Sequence, residues 1–232
     1  MAANGIDETD YIQAFMDARP VDFARAALIV VDMQYATGHR EGALGRRMKA
    51  EGSNVAAYRF GRIENLVVPN ITRLLEGFRG AGGEVIYLTV GAAKADCSDA
   101  PPHMKKMFQA LDNFEGSREH EIIDALKPRA GERVLNKTSI GAFASTGLDH
   151  LLRSLAKDQL YMTGVSTNMC VETTAREAAD RGYGVTLLED ACATTHEDLH
   201  NATITNFQRL FGRVISTAAA CEELKLTATT DS

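Results

Sequence analysis

The chain predicts an α/β protein: a single three-layer α/β/α domain around a six-stranded, mainly parallel sheet of the Rossmann-like kind. Three observations point there. Six short apolar runs recur along the sequence, segments of helical spacing separate them, and no linker-like stretch divides the chain. Strands covered on both faces read as unbroken apolar runs, and parallel neighbours need a crossover between them.

The first run, Ala26 to Val31, is closed by Asp32. Residues 61–79 place Ile63, Leu66, Val67, Ile71, Leu74, Leu75 and Phe78 at helical spacing, with a kink or break expected at Pro69. Glu84 to Val90 is the second strand. Residues 91–118 carry Pro101-Pro102 and few periodic apolar positions, so a loop is expected, followed by at most a short helix over Glu119 to Leu126. Arg133 to Asn136 is a third strand ending at Lys137, and Leu148 to Ala156 a helix. Gln159 to Thr163 is a fourth strand, Asn168 to Arg181 a helix stopped by Gly182, and Gly184 to Leu188 a fifth strand. His196 to Leu210 is a helix and Gly212 to Ser216 the sixth strand. Residues 1–24 read as an N-terminal arm whose Tyr11, Ile12 and Phe15 can pack on the body or on a second subunit; residues 25–232 form the domain.

Bulk properties narrow the function. The 232 residues are 45% hydrophobic and 24% charged, ordinary for a globular protein, and the net charge of −6 argues against nucleic acid or an anionic membrane as partner. No run is long enough to span a bilayer, and the polar, acidic start lacks the pattern of a signal peptide, so a cytoplasmic location is expected. Cys97, Cys170, Cys192 and Cys221 are widely spaced without a C-x-x-C pair and read as free thiols.

In a sheet of this kind ligands bind beyond the C-terminal strand ends. That singles out Asp32, Lys137 and the turn Gly164-Val-Ser-Thr-Asn-Met-Cys170. Near a helix start, unpaired backbone N–H groups favour a thiolate, lower the cysteine pKa and can hold an oxyanion. Cys170 is thus a candidate nucleophile or, on the plainer reading, a small buried apolar residue. Asp32 is a general base or a turn cap. Lys137 steadies negative charge or pairs with a surface acid.

Asp32-Met-Gln, Lys137-Thr-Ser-Ile-Gly-Ala-Phe143 and Gly164-Val-Ser-Thr-Asn-Met-Cys170-Val-Glu-Thr-Thr-Ala-Arg176, followed by Gly182-Tyr183 and Glu189-Asp-Ala191, resemble the isochorismatase-like hydrolases from about residue 25 onward. The resemblance implies a catalytic set of Asp32, Lys137 and Cys170, with Asp32 taking the thiol proton and Cys170 forming a thioester. It implies an oxyanion hole from the N–H groups of Ser166 and Cys170, with a cis peptide at Val165–Ser166 that turns one N–H inward. No cofactor and, for the reasons below, no metal is expected, and because members of the family are commonly oligomeric a homo-oligomer is expected. Relatives that cleave the vinyl ether of isochorismate lack the thiol, so its presence points to C–N bond hydrolysis.

Two departures bear on the substrate. Nicotinamidases of the family carry an acid–histidine metal motif after the second strand, where this chain has Val90-Gly-Ala-Ala-Lys-Ala95. Many relatives have an aromatic residue five places after the aspartate, where this chain has Thr37. A small polar wall suits a flat polar substrate, so a linear ureido or carbamoyl compound is expected: biuret-, triuret-, ureidoacrylate- or N-carbamoyl amino acid-like. A nicotinamidase or maleamate-type amidase is the alternative. Thr37, Phe143 and Gln208 are candidate substrate contacts. One of Arg40, Arg46, Arg47, Arg59 and Arg62 can clamp a carboxylate, although solvated arginines on a lid are the plainer expectation for each.

A competing motif is His196-Glu-Asp-Leu-His200, which matches the H-E-x-x-H zinc pattern. Thr195 as N-cap with Glu197 and Asp198 in the first turn explains the segment without a metal, and no third ligand follows at a suitable spacing. A non-enzymatic small-molecule binder on the same fold is a further class, disfavoured by the complete acid, lysine and thiol set.

Overall fold

A computed structural model describes Ile12 and residues 19–226. Tyr11 and Phe15 of the N-terminal arm lie outside the described residues.

The elements run β1 (Ala26–Val31), α1 (Tyr35–Gly38), α2 (Ala43–Ala50), α3 (Val55–Arg62), α4 (Val68–Gly80), β2 (Glu84–Val90), α5 (Pro102–Ala110), β3 (Arg133–Lys137), α6 (Leu148–Ser154), β4 (Gln159–Val165), α7 (Glu172–Asp180), β5 (Gly184–Ala193), α8 (Glu197–Leu210), β6 (Arg213–Ile215) and α9 (Thr217–Glu223). The six strands form one sheet in the order β3-β2-β1-β4-β5-β6, and every neighbouring pair is parallel. The order reverses between β1 and β4. The two chains leaving their C-terminal ends part in opposite directions there and open the crevice where such sheets bind ligands.

The apolar runs form strands because both sheet faces are covered. Ala26, Leu28 and Val30 of β1 join the core beside α4 and α9, with Leu74, Phe78, Tyr87 and Tyr161. Ala27, Ile29 and Val31 join the core on the other face, with Leu148 and Leu152 of α6, Ala175 and Ala178 of α7 and Phe207 of α8. The side-chain period of two is present, but both faces are dry, so the sequence reads as a run.

Several local expectations are corrected. Residues 91–118 are not a plain loop. Pro102 opens α5, a position where its missing N–H has no partner to lose, and Met104 and Phe108 bury one face against Val90, Ala92 and Cys97. Residues 38–62, not assigned helix beforehand, hold α2 and α3. The break expected at Pro69 occurs just before it: a π turn over Ile63–Val67 joins α3 to α4, so the proline ring enters a helix already widened. Residues after Ser216 form α9, with the Ser216 side chain accepting from the Ala219 N–H at 3.2 Å. Thr195 does not cap α8; His196 holds that position and makes no side-chain cap bond. Among the described residues no helix is long and apolar enough to cross a membrane.

Candidate active site

Asp32 follows β1 directly, and its N–H donates to Leu88 O at 2.8 Å. Its φ of +51° is left-handed, a region that acidic and amide residues tolerate best among residues with a side chain. The carboxylate of this residue meets Lys137 at the end of β3. Two residues on, Gln34 fastens the turn. Its Oε1 accepts from the Val90 N–H at 2.8 Å, and its Nε2 donates to Val90 O at 3.1 Å and His120 O at 2.9 Å. Sequence reading assigned Gln34 no role; its place in the Asp32-Met-Gln motif was the available signal.

Lys137 ends β3. Its Nζ donates to Asp32 Oδ2 at 2.9 Å and to Ser139 O at 3.3 Å. The pair is fully enclosed, with Lys137 0% and Asp32 2% exposed. Cys170 is 7% exposed and lies in a π turn, Thr167–Val171, between β4 and α7. The peptide Val165–Ser166 is cis, and Ser166 O accepts from the N–H groups of Met169 and Val171 at 3.0 and 3.3 Å.

Electrostatics correct one expectation. The Cys170 pKa is not lowered. Burial pushes it up to about 12, with the nearby Asp32 carboxylate adding to the rise and Lys137 opposing it. A short turn cannot outweigh desolvation of a thiolate beside an acid. The resting sulfur is a thiol and needs a base. Burial also raises the Asp32 pKa above the usual carboxylate range, a rise that Lys137 reduces without cancelling. Burial works against the Lys137 ammonium, but Asp32 and Cys170 outweigh it and hold its pKa above the ordinary value. Asp32 Oδ1 is buried without a hydrogen-bond partner. A carboxylate with one oxygen fixed by a lysine and in contact with a protonated thiol is placed to exchange a proton.

Arg59 was expected on a solvated lid. It is instead buried, at 1% exposed, with its guanidinium turned onto the residues that follow β1 and β4. Its Nε and Nη2 donate to Thr37 O at 3.0 and 2.8 Å, and its Nη1 donates to Ser166 Oγ at 2.8 Å. Thr37 is therefore linked to the thiol-bearing turn through its backbone carbonyl. Arg62 also turns inward, donating to Cys192 O at 2.9 Å and Glu189 O at 2.8 Å. Arg40, Arg46 and Arg47 pair with Glu64, Glu119 and Glu51, each half or more exposed at the arginine except Arg40, which is slightly less so.

Of two further candidate substrate contacts, Phe143 shares an apolar cluster with Cys170, and Gln208 lies at the far end of the sheet. The Phe143 ring packs 5.7 Å from the Tyr183 ring with Arg181 over its face, beyond the C-terminal end of α7. Gln208 lines a groove of about 850 Å³ with Gln159, Gly184 and Arg213, at the N-terminal ends of the strands and thus at the opposite end of the sheet from Asp32. A residue near the end of α8 must lie there, since α8 runs back along the sheet.

His200 does not pair with His196. Arg62 Nη2 lies 3.1 Å from its Nε2, and Thr167 Oγ1 lies 3.0 Å from its Nδ1. Arginine only donates, so Nε2 accepts and Nδ1–H donates to Thr167. Burial, reinforced by Arg62, lowers its pKa to about 4 and keeps it neutral. His196 instead contacts Thr195 at 3.0 Å on the surface.

An enclosed acid, lysine and thiol meet at the switch point of a doubly wound sheet, the set of groups that a cysteine-type hydrolase requires. The chain belongs to the isochorismatase family: the Isochorismatase domain matches residues 26–219. It is similar to the ureidoacrylate amidohydrolase RutB of Pantoea ananatis, 32% identical over 85% of this chain and 81% of the relative. It is likewise similar to RutB of Methylobacterium radiotolerans, 31% identical over 88% and 83%. Among solved structures it resembles a cysteine hydrolase from Pseudomonas syringae pv. phaseolicola, with 28% identity, a TM-score of 0.75 and coverage of 90% and 96%. It also resembles N-carbamoylsarcosine amidase from Thermoplasma acidophilum, with 26% identity, a TM-score of 0.64 and coverage of 83% and 96%. The protein is a hydrolase acting on carbon–nitrogen amide bonds.

Proposed function

We propose that this hydrolase cleaves a small linear ureido or carbamoyl compound through a thioester on Cys170. The observation that carries the reading is the buried contact of Lys137 Nζ with Asp32 Oδ2, on a carboxylate that also interacts with the Cys170 thiol. Asp32 takes the Cys170 proton on Oδ1. The thiolate attacks the carbonyl carbon, a C–S bond forms, and the carbonyl electron pair moves to oxygen. The N–H groups of Ser166 and Cys170 hold that oxyanion. When the C–N bond breaks, Asp32 returns the proton to the departing nitrogen. Water then gives a proton to Asp32 and attacks the thioester, releasing the acid and restoring the thiol. Lys137 stays charged throughout and orients the carboxylate.

The substrate class rests on two supports. Relatives named for ureidoacrylate and N-carbamoylsarcosine are similar to most of the chain. The chain also has Thr37 rather than a large apolar side chain after α1 begins, which suits a planar, hydrogen-bonding group. Such a substrate needs its N–H groups matched, since each left unpaired on burial costs about 1–3 kcal/mol.

The test is ammonia release from biuret, triuret, ureidoacrylate, N-carbamoyl amino acids, maleamate and nicotinamide by the native protein and Cys170→Ser. Turnover of a ureido compound that is lost in the variant is the expected result. Turnover confined to nicotinamide or maleamate would overturn the substrate class, and near-native activity of Cys170→Ser would overturn the nucleophile.

A further inference from the structure

Arg59 is the largest of the fully buried side chains, and among the described residues no carboxylate lies within ion-pair distance of it. Its bonds go to a neutral carbonyl, Thr37 O, and a neutral hydroxyl, Ser166 Oγ. Burial lowers its pKa only to about 10, so it remains a cation at neutral pH, with Cys170 and Asp32 as the nearest groups able to balance it. A buried cation bonded only to neutral acceptors is costly unless something in its surroundings becomes negative.

The reaction moves charge in the required direction. At rest the negative charge sits on Asp32, against Lys137. Proton transfer removes it from Asp32 and places it on the Cys170 sulfur, and attack then places it on the substrate oxygen beside Ser166. The charge moves from the Asp32 carboxylate into the turn that Arg59 grips, and Lys137 touches both places. Lys137 steadies the charge at either; Arg59, bonded to Ser166, adds a second cation on the side where the charge arrives.

We propose that Arg59 is a positioning residue of the 166–170 turn, which fastens Ser166 through its hydroxyl, anchors the turn to Thr37, and supplies the second positive charge that favours a Cys170 thiolate and the oxyanion. The proposal rests on Cys170 as the nucleophile. The plainer role, a staple joining α3 to the sheet, accounts for the bonds but requires no effect on the thiol.

The two roles separate in the pH profile of Cys170 alkylation. The second-order rate with iodoacetamide is followed by mass spectrometry from neutral to alkaline pH in native protein, Arg59→Gln and Arg59→Lys, with circular dichroism and thermal melts as fold controls. Arg59→Gln is expected to displace the line of log rate against pH by about one unit toward higher pH, a tenfold loss at a given pH. Arg59→Lys, which keeps the charge but cannot bridge both partners, is expected to stay close to the native line. An undisplaced line in folded Arg59→Gln overturns the proposal, as does an equal displacement in Arg59→Lys. If Arg59→Gln does not fold, Arg59→Met serves as the neutral variant with the same expected displacement, and an undisplaced line there overturns the proposal equally. Alkylation needs no substrate, so this result stands apart from the turnover of Cys170→Ser, which tests the nucleophile.

Discussion

Gly164 and Val31 meet across the β1–β4 pair so closely that a Cβ on Gly164 would stand 2.0 Å from the Val31 carbonyl oxygen. Gly164 also holds a φ of +106°, a conformation that side chains rarely adopt. This contact sets the distance between Asp32, which follows Val31, and the turn that carries Cys170. Gly164→Ala is expected to destabilise the fold by about 3 kcal/mol or more, since strain and overlap add. Urea unfolding measures it; a loss under 1 kcal/mol would show that the strands can part without cost.

Lys137 and Asp32 form a buried pair whose halves depend on each other. Lys137→Met leaves the Asp32 carboxylate enclosed without its hydrogen-bonded partner, with only Arg59 as a counter-charge that does not contact it, and a loss of about 3 kcal/mol is expected. Adding Asp32→Asn removes that charge, and asparagine accepts the left-handed backbone. The double variant should therefore recover stability but not turnover. A double variant no more stable than Lys137→Met would show that the lysine acts through packing.

Acidification should weaken the fold at His200. Its folded pKa of about 4 lies below its unfolded value, so the fold favours the neutral ring. The stability this provides is complete above about pH 6.5 and is lost as pH falls toward the folded value. Burial depresses His120 in the same direction, so the readout is a difference between proteins. The melting temperature of His200→Gln is expected to fall less than that of the native protein between neutral pH and pH 4. Parallel curves would remove His200 from the account.

Gln208 lies with Gln159 and Gly184 at the strand starts, across the sheet from the acid and the thiol. Gln208→Ala is expected to leave both kcat and KM unchanged in an ammonia-release assay. A raised KM would mean that the groove at that end communicates with the site.

Much of this protein is written locally. Ala26 to Val31 must be a covered strand because no other placement keeps six consecutive apolar residues from water, and the acid that closes it must fall at a strand end. The segments read as loop or left unassigned failed for equally local reasons. In α5 the Pro101-Pro102 signal masked the buried pair Met104 and Phe108, although proline is at home at a helix start. In α3, the i,i+3 spacing that brings Arg59 and Arg62 inward looks in sequence like a charged outer face.

The sequence by itself determined the layer order, the strands and the residue types waiting at their C-terminal ends, because periodicity and apolar runs act over a few residues. Only the tertiary structure decided the chemistry of those ends. Whether the Cys170 thiol gains or loses acidity, whether Arg59 is solvated, and whether Gln208 faces the site all depend on which distant groups exclude water and which charges remain beside them. Desolvation and Coulomb interactions act through space between residues as far apart in the chain as Asp32, Lys137 and Cys170, and no local pattern encodes their sum.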